Sequence, residues 1–385
     1  MRARHLIPLL VFASVSLAAV AHAQVLYWID TNYGAPTLNQ ADASGNALAS
    51  APLVAATQPE GLAVDATGKL FWAEGAWSGA RVMRAAPTLA SMTTLVSGMT
   101  VLRGIAVDNV DHYLYWTSSN SVAGSRIQRS AIDGTGVTTV LTLGAANPRG
   151  ITVDHVGGKL YWADFDQDAI YRANLNGTSV ETWQLLSPGS HPWGVAYDPF
   201  GQNVYWTEYA GKVRRAPASG GVTSVVATAA SPTYLCLDTG GGQVYWSEAP
   251  AGAQHICRAP MTGGAKIVLP PAITTFGGLA FKADASVSTP DAPLPIAFEL
   301  AAPAPNPAHG DVAVEFALPR EARVRLTVFD LQGREQAVLA DGVLPAGRYA
   351  RSWSNDAQHP AAAGIYFVRL ATDGRTWVRR VVRVR

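Results

Sequence analysis

Three aspartates at alternate positions, Asp164, Asp166 and Asp168, follow closely on Tyr161 and Trp162. Acidic residues in that alternation are how a calcium loop begins, because a hard cation needs several oxygens converging from a short turn. Ala169 stands where such a loop needs its glycine, and Leu175 where it needs its closing glutamate, so a solvated turn is the competing reading. The Tyr-Trp pair could stack on a sugar ring, or it could be core. The chain has no Gly-x-Ser-x-Gly and no His-Glu-x-x-His, so neither an esterase nucleophile nor a zinc-peptidase helix is indicated. His112, His155, His191 and His255 are scattered, and His155 follows an aspartate that reads as a strand end.

The elements that must position these residues are repeats. Leu160-Tyr-Trp-Ala-Asp164 has five relatives, at Leu26-Tyr-Trp-Ile-Asp30, Leu70-Phe-Trp-Ala-Glu74, Leu114-Tyr-Trp-Thr-Ser118, Val204-Tyr-Trp-Thr-Glu208 and Val244-Tyr-Trp-Ser-Glu248. Their tryptophans, at 28, 72, 116, 162, 206 and 246, lie 40 to 46 residues apart. That period fits one four-stranded propeller blade per repeat. A second motif precedes five copies: Gly61-Leu-Ala-Val-Asp65, Gly104-Ile-Ala-Val-Asp108, Gly150-Ile-Thr-Val-Asp154, Gly194-Val-Ala-Tyr-Asp198 and Tyr234-Leu-Cys-Leu-Asp238. A third follows, as in Ala169-Ile-Tyr-Arg-Ala-Asn-Leu-Asn-Gly177. Each reads as a short strand closed by a Gly or Asx turn.

The first aromatic motif lacks an inner strand before it, and Gly278-Leu-Ala-Phe-Lys282 is an inner strand with no aromatic motif after it. Together they complete one blade. The expectation is an all-β fold: a closed six-bladed β-propeller over 25–282, its last blade closed by strands from both ends, followed by an Ig-like β-sandwich. Six copies at one blade position mark a structural demand, so Tyr161 and Trp162 are expected in the core. Cys236 and Cys257 fall on an inner and a third strand, separated by the aromatic strand. That is about 9–10 Å across a sheet, beyond the roughly 7 Å a disulfide tolerates, so both are expected as free thiols.

These motifs resemble the YWTD-repeat propeller of the low-density lipoprotein receptor family, whose repeats are the receptor's class B repeats. No copy reads YWTD literally, and aspartate holds the last position only at Asp30 and Asp164. The receptors' Cys-rich EGF-like modules have no counterpart, so receptor biology does not carry over. The resemblance implies a protein- or ligand-binding module without catalytic residues.

The residue just before each inner-strand motif should line one mouth of the central channel. These are Glu60, Arg103, Arg149, Trp193, Thr233 and Gly277. A scaffold would accept the same residue six times, whereas these vary. Two arginines, a glutamate and a tryptophan suit a protein, peptide or other anionic ligand, with guanidinium forking onto carboxylate and indole offering a stacking face. A solvated rim without a ligand is the alternative. Some six-bladed propellers are metal-dependent lactonases. A divalent metal wants clustered oxygens, and this mouth offers one carboxylate against two arginines, so a propeller hydrolase or lyase is the lesser reading and no metal or other cofactor is expected. A purely structural envelope protein is the third.

Residues 283–303 are rich in Pro and Ala and read as a linker. Beyond them about seven short alternating segments in ~80 residues fit an Ig-like sandwich at 304–385. Pro305-Asn-Pro307, Val328-Phe-Asp-Leu-Gln-Gly-Arg334, Leu344-Pro-Ala-Gly-Arg348, Trp353 and Ala363-Gly-Ile-Tyr-Phe367 resemble the FlgD-type Ig-like domain and the type IX secretion C-terminal sorting domain. The resemblance implies a bacterial protein delivered to, or held at, the cell surface, with the secretion machinery as a partner. Arg379, Arg380, Arg383 and Arg385 could be read by that machinery, or could be the charged face of an edge strand that blocks unwanted pairing.

The first 23 residues have a basic start, an apolar run from Leu6 to Val20 and Ala21-His22-Ala23. They read as a secretory signal peptide cleaved after Ala23, the run being too short for a comfortable span. No later run is long and apolar, so a secreted or outer-surface monomer without a transmembrane segment is expected. The net charge of +1 argues against nucleic acid.

Overall fold

The structure, a computed structural model, describes residues 24–32, 35–53, 58–75, 79–119, 124–250, 254–273, 275–282, 297–309, 312–320, 322–344, 347–353, 362–372 and 374–384. The expected signal peptide and Arg385 lie outside them. Every regular element among the described residues is a strand. No helix there is long and apolar enough to cross a membrane.

Residues 25–282 form six four-stranded antiparallel sheets. Five run in simple sequence order, as in Pro148–Asp154, Lys159–Asp164, Ala169–Asn174 and Glu181–Leu185. The sixth joins the two ends of the repeat region. Its inner strand Phe276–Lys282 pairs with Val25–Asp30, matching Lys282 to Val25 and Leu279 to Trp28. The inner strands of successive sheets lie against one another, and Phe276–Lys282 lies against both Pro59–Val64 and Leu235–Asp238.

The aromatic motif explains how the sheets pack. Side chains alternate between faces along a strand, so the tyrosine and tryptophan of one motif face opposite neighbours. Six apolar clusters result, each combining the first ring of one motif with the tryptophan of the next. They hold Tyr27 with Trp72, Phe71 with Trp116, Tyr115 with Trp162, Tyr161 with Trp206, Tyr205 with Trp246, and Tyr245 with Trp28. Trp162 and Tyr161 are each 1% exposed, which rules out a sugar platform there. An aromatic ring removes on the order of 150–250 Å² from water, so these pairs dominate sheet-to-sheet packing.

The last motif position divides by what the carboxylate does. Glu74, Glu208 and Glu248 accept the indole N–H of their own Trp72, Trp206 and Trp246 at 3.2, 3.1 and 3.1 Å. Asp164 cannot reach its indole and instead accepts the backbone N–H groups of Asp166 and Gln167 at 3.2 Å. Asp30 likewise accepts from Asn32 and Thr275. Where Ser118 stands, Gln128 Oε1 takes the Trp116 indole at 3.4 Å.

Cys236 lies opposite Tyr245, and Cys257 opposite Trp246 on the far side of the same strand. Both are free and buried.

The C-terminal residues form two further sheets around one core. A three-stranded sheet holds Glu299–Leu300, Val312–Leu318 and Gly347–Trp353. A four-stranded sheet runs Glu335–Leu344, Ala322–Asp330, Gly364–Thr372, Arg375–Arg383. Val314, Phe316, Val324, Leu326, Val328, Val368, Leu370 and Val381 fill the space between. The unit begins earlier than its composition suggests. Glu299–Leu300, inside the expected 283–303 linker, pairs with Val312–Leu318, and Leu300 is fully buried. The apolar-polar-apolar run Phe298-Glu299-Leu300 supplies one last inward side chain, which the surrounding Pro and Ala obscure.

Candidate functional site

Glu60, Arg103, Arg149 and Trp193 are each the second residue of their inner strands, Pro59–Val64, Leu102–Asp108, Pro148–Asp154 and Pro192–Asp198. All four strands break register there, between Pro59 and Leu62, Leu102 and Ile105, Pro148 and Ile151, and Pro192 and Val195. In each break two residues oppose one, a bulge that re-aims a side chain out of the ladder. The second residue of each bulge is a glycine. It is required by the close approach of the neighbouring strand: a Cβ on Gly104 would lie 2.4 Å from the Arg149 carbonyl oxygen, and one on Gly61 2.6 Å from that of Arg103. The bulge leaves the glycine N–H without its ladder partner. In two sheets a threonine on the aromatic strand takes it, Gly104 to Thr117 Oγ1 at 2.8 Å and Gly194 to Thr207 Oγ1 at 2.9 Å.

The bulges bring the four side chains together. Arg103 pairs with Glu60, and Arg149 Nη1 lies 3.9 Å from the other oxygen of the same carboxylate. The Arg149 guanidinium sits 4.3 Å above the Trp193 ring and 5.1 Å above Phe165. All three charged side chains are mostly buried, between 13% and 20% exposed. Burial pushes the Glu60 carboxyl above its ordinary range, and the two guanidiniums pull it partly back. Burial, reinforced by repulsion from Arg103, lowers Arg149. Two guanidiniums thus share one inner carboxylate, with exposed Asp166 farther out on the rim.

Thr233 and Gly277 contribute differently from expectation. The Thr233 hydroxyl turns to Ser247 Oγ at 2.7 Å, and its carbonyl accepts the Gly194 N–H. Gly277 offers only backbone against Pro59. Thr233 and Gly277 are therefore wall, and neither extends the cluster of charged and aromatic side chains.

Sequence reasoning missed Tyr234. It occupies the place held by glycine in the other inner-strand motifs, and so puts a ring where they have none. That ring meets Trp193 edge-on at 6.0 Å, and its hydroxyl reaches Glu60 Oε2 at 3.5 Å. Burial raises its pKa. The break in the glycine pattern was visible and would have marked it. Phe165, His191 and Tyr209 were also missed. Phe165 stacks on His191 at 4.5 Å and meets Trp193 at 5.6 Å, and Tyr209 lies 6.1 Å from Trp193 with 42% exposure.

The acidic run is the frame of this aromatic group. Asp168, at φ 50°, accepts the backbone N–H groups of Gly189 at 2.7 Å and His191 at 2.6 Å. His191 Nδ1 then meets the Phe165 carbonyl at 3.0 Å. Asp164, through Oδ1, and Asp168, through both oxygens, accept backbone N–H groups, as turn-forming aspartates do.

The opposite ends of the inner strands carry Asp65, Asp108, Asp154, Asp198 and Asp238, all buried. Among the described residues one group there could hold a cation: Asp108, Asp111 and His155, with ligand atoms within 4.8 Å of one another. Asp108 already caps its turn through Val110 and Asp111 N–H, and its other oxygen meets His155 Nδ1 at 3.2 Å. The trio therefore ties two neighbouring sheets together.

On the last strand Arg379 and Arg380 are exposed, but Arg383 is 3% exposed and lies 4.5 Å over the Trp353 ring. Strand alternation points it into the core with Val381, so it is not part of an exposed basic stripe.

Comparison with known proteins gives the class first. A structure titled as the nidogen/laminin complex is similar to 67% of this chain and 98% of that one, at 19% identity and a TM-score of 0.56. TolB from Acinetobacter baumannii is similar over 67% of this chain and 66% of that one, at 12% identity and a TM-score of 0.56. At these identities the likeness is one of fold, and the chain is an all-β protein of propeller-like four-stranded sheets. The particular assignment concerns the C-terminal unit: residues 304–384 match the family described as the secretion system C-terminal sorting domain. A sorting domain marks the protein for export, secreted or attached at the cell surface.

Proposed function

We propose that the chain is a surface-delivered binding protein of the YWTD-like type, whose closed six-bladed propeller receives a carboxylate-bearing protein or peptide at the mouth built by Glu60, Arg103, Arg149 and Trp193. The reading of closure rests on Tyr245 sharing a cluster with Trp28 and on the pairing of Phe276–Lys282 with Val25–Asp30. The C-terminal domain, read as a FlgD-type Ig-like sandwich of type IX secretion, engages the export machinery and delivers or attaches the propeller. Arg379 and Arg380 are its exposed basic residues for that contact.

One observation carries the binding reading: Arg149 lies against two aromatic faces while sharing the Glu60 carboxylate with Arg103. A guanidinium so placed has donors to offer a planar anion, and the rings beside it can cover the ligand's apolar part. The same balance opposes a hydrolase. The carboxylate at the mouth is already held by two cations, the wrong environment for a divalent metal, so the protein is read as non-enzymatic.

The test is titration of short acidic peptides and their amidated counterparts into the mature protein, followed by tryptophan fluorescence and calorimetry. The wild type should prefer the carboxylates, and Arg149→Ala should weaken binding by about tenfold or more, the loss of one charged hydrogen-bonded contact. Equal binding by Arg149→Ala would sink the proposal. Separately, deletion of 304–385 should leave the propeller inside the cell envelope, and unchanged export would refute the delivery role.

A further inference from the structure

The turn ending the inner strand Pro192–Asp198 differs from its counterparts. It reads Asp198-Pro-Phe-Gly201, where the others read Asp65-Ala-Thr, Asp108-Asn-Val, Asp154-His-Val and Asp238-Thr-Gly. Asp198 holds the turn by accepting the Phe200 N–H at 3.0 Å. Phe200 belongs to the propeller by sequence, yet it packs against the hydrophobic core of the C-terminal unit. Arg351 meets the ring face-on. Its guanidinium lies 4.0 Å over the Phe200 ring and 5.9 Å from Tyr349. Arg351 sits on Gly347–Trp353, an outer strand of the three-stranded sheet, and shares its inward face with Tyr349 and Trp353. A second contact lies alongside, where Gly342 comes close enough that a Cβ would be 3.2 Å from the Pro199 carbonyl oxygen.

The charges match the shapes. Asp198 and Asp238, the buried strand-end carboxylates of two adjacent sheets, both act on Arg351 electrostatically, and it on them. An arginine drawn from water needs such partners. A phenyl ring beneath a guanidinium attracts it through the negative face of the ring. This surface lies at the far ends of the inner strands from Glu60, Arg103, Arg149 and Trp193.

We propose that the propeller surface formed by Asp198, Pro199, Phe200 and Asp238 is the docking site for the chain's own C-terminal domain, with Phe200 as the plug and Arg351 as the clamp. The sorting domain is then fixed to the face away from the mouth, and the mouth is left clear. This stands whether or not the mouth binds a carboxylate.

The experiment uses the full mature chain and a double-mutant cycle of Phe200→Ala and Arg351→Ala. Each single variant should increase the population of separated domains by on the order of tenfold. Small-angle scattering should show a larger radius of gyration, and amide exchange should speed up in Gly347–Trp353. The double variant should do little more than either single one, because both remove the same contact. Near-ultraviolet circular dichroism of the buried tryptophans should stay at wild type, which separates undocking from unfolding. Should Phe200→Ala fail to fold, Arg351→Lys replaces it in the test, since it keeps the charge and loses the flat stack. Unchanged scattering and exchange in these variants would overturn the proposal, as would additive effects of the two substitutions.

Discussion

Replacing Glu208 by aspartate would give its repeat the same last residue as Asp30 and Asp164 and should make the protein less stable. Glu208 Oε1 accepts the buried Trp206 indole N–H at 3.1 Å and lies 2.9 Å from Arg214 Nε. Aspartate withdraws the carboxylate by one carbon–carbon bond, about 1.5 Å, which puts the indole beyond hydrogen-bond range. Loss of a hydrogen bond to a charged acceptor costs about 1.5–3 kcal/mol when the donor stays buried. The lost methylene adds about 0.8 kcal/mol. The sum is about 2–4 kcal/mol, or roughly 5–15 °C in melting temperature for a domain of this size. Thermal unfolding followed by tryptophan fluorescence reads it directly. Glu208→Gln keeps an oxygen for the indole and loses only the charge opposite a partly exposed arginine, so it should cost about 1 kcal/mol. Glu208→Ala should be the worst of the three, since it strands Arg214 as well. A melting temperature for Glu208→Asp within a degree of wild type would refute the division between glutamate as indole acceptor and aspartate as turn cap.

Three other outcomes are expected. Because burial holds the Glu60 carboxyl above its ordinary range, lowering the pH protonates it before an exposed carboxylate and adds one positive charge at the mouth. Affinity for an anion should therefore rise as pH falls toward the ligand's own pKa, and calorimetry with a sulfonate probe, which stays charged, would isolate the effect. Cys257, pushed up to about 12 by burial, and Cys236, raised well above its ordinary value by the same cause, should resist thiol reagents in the native protein and react at once in guanidinium, because only the thiolate attacks. Asp168→Ala should cost about 1–2 kcal/mol by stripping the caps from Gly189 and His191, while millimolar calcium should leave the wild-type melting temperature unchanged; a calcium-dependent rise would restore the loop reading.

The fold was legible because it is repetitive. Six Tyr/Phe-Trp pairs in register state both the sheet count and the packing between sheets, and the orphan motifs at 26–30 and 278–282 pointed to the sheet that joins the ends. The mouth was legible only in part. Position in the repeat picked out Glu60, Arg103, Arg149 and Trp193, which the structure brings into one cluster because the bulge recurs at the same position of each inner strand. It failed for Thr233, whose hydroxyl has a nearer partner in Ser247, since hydrogen bonding within a sheet overrides radial position. Phe165, His191 and Tyr209 lie in loops, where no period constrains a side chain's direction. Arg383 was misjudged as surface because it was grouped with Arg379, Arg380 and Arg385, whereas strand alternation with Val381 governs where it points. The Phe200 contact was out of reach, because nothing in a single turn says which other unit will meet it.

The pairing of Val25–Asp30 with Phe276–Lys282 also has a temporal meaning. The Thr275 N–H and Asp30 Oδ1 that meet at its end are 245 positions apart. Bringing two such distant segments together costs about 5 kcal/mol of chain entropy by the logarithmic loop rule, a cost no adjacent hairpin bears. Five sheets can assemble from neighbours alone as the chain emerges, but the one that pairs Val25–Asp30 with Phe276–Lys282 must wait for residue 282. Until then Val25–Asp30 is a bare apolar edge, open to capture by another chain. The interval between the emergence of these two strands is therefore the period in which the protein is most open to mispairing, and shielding its first strand would matter more than shielding any other.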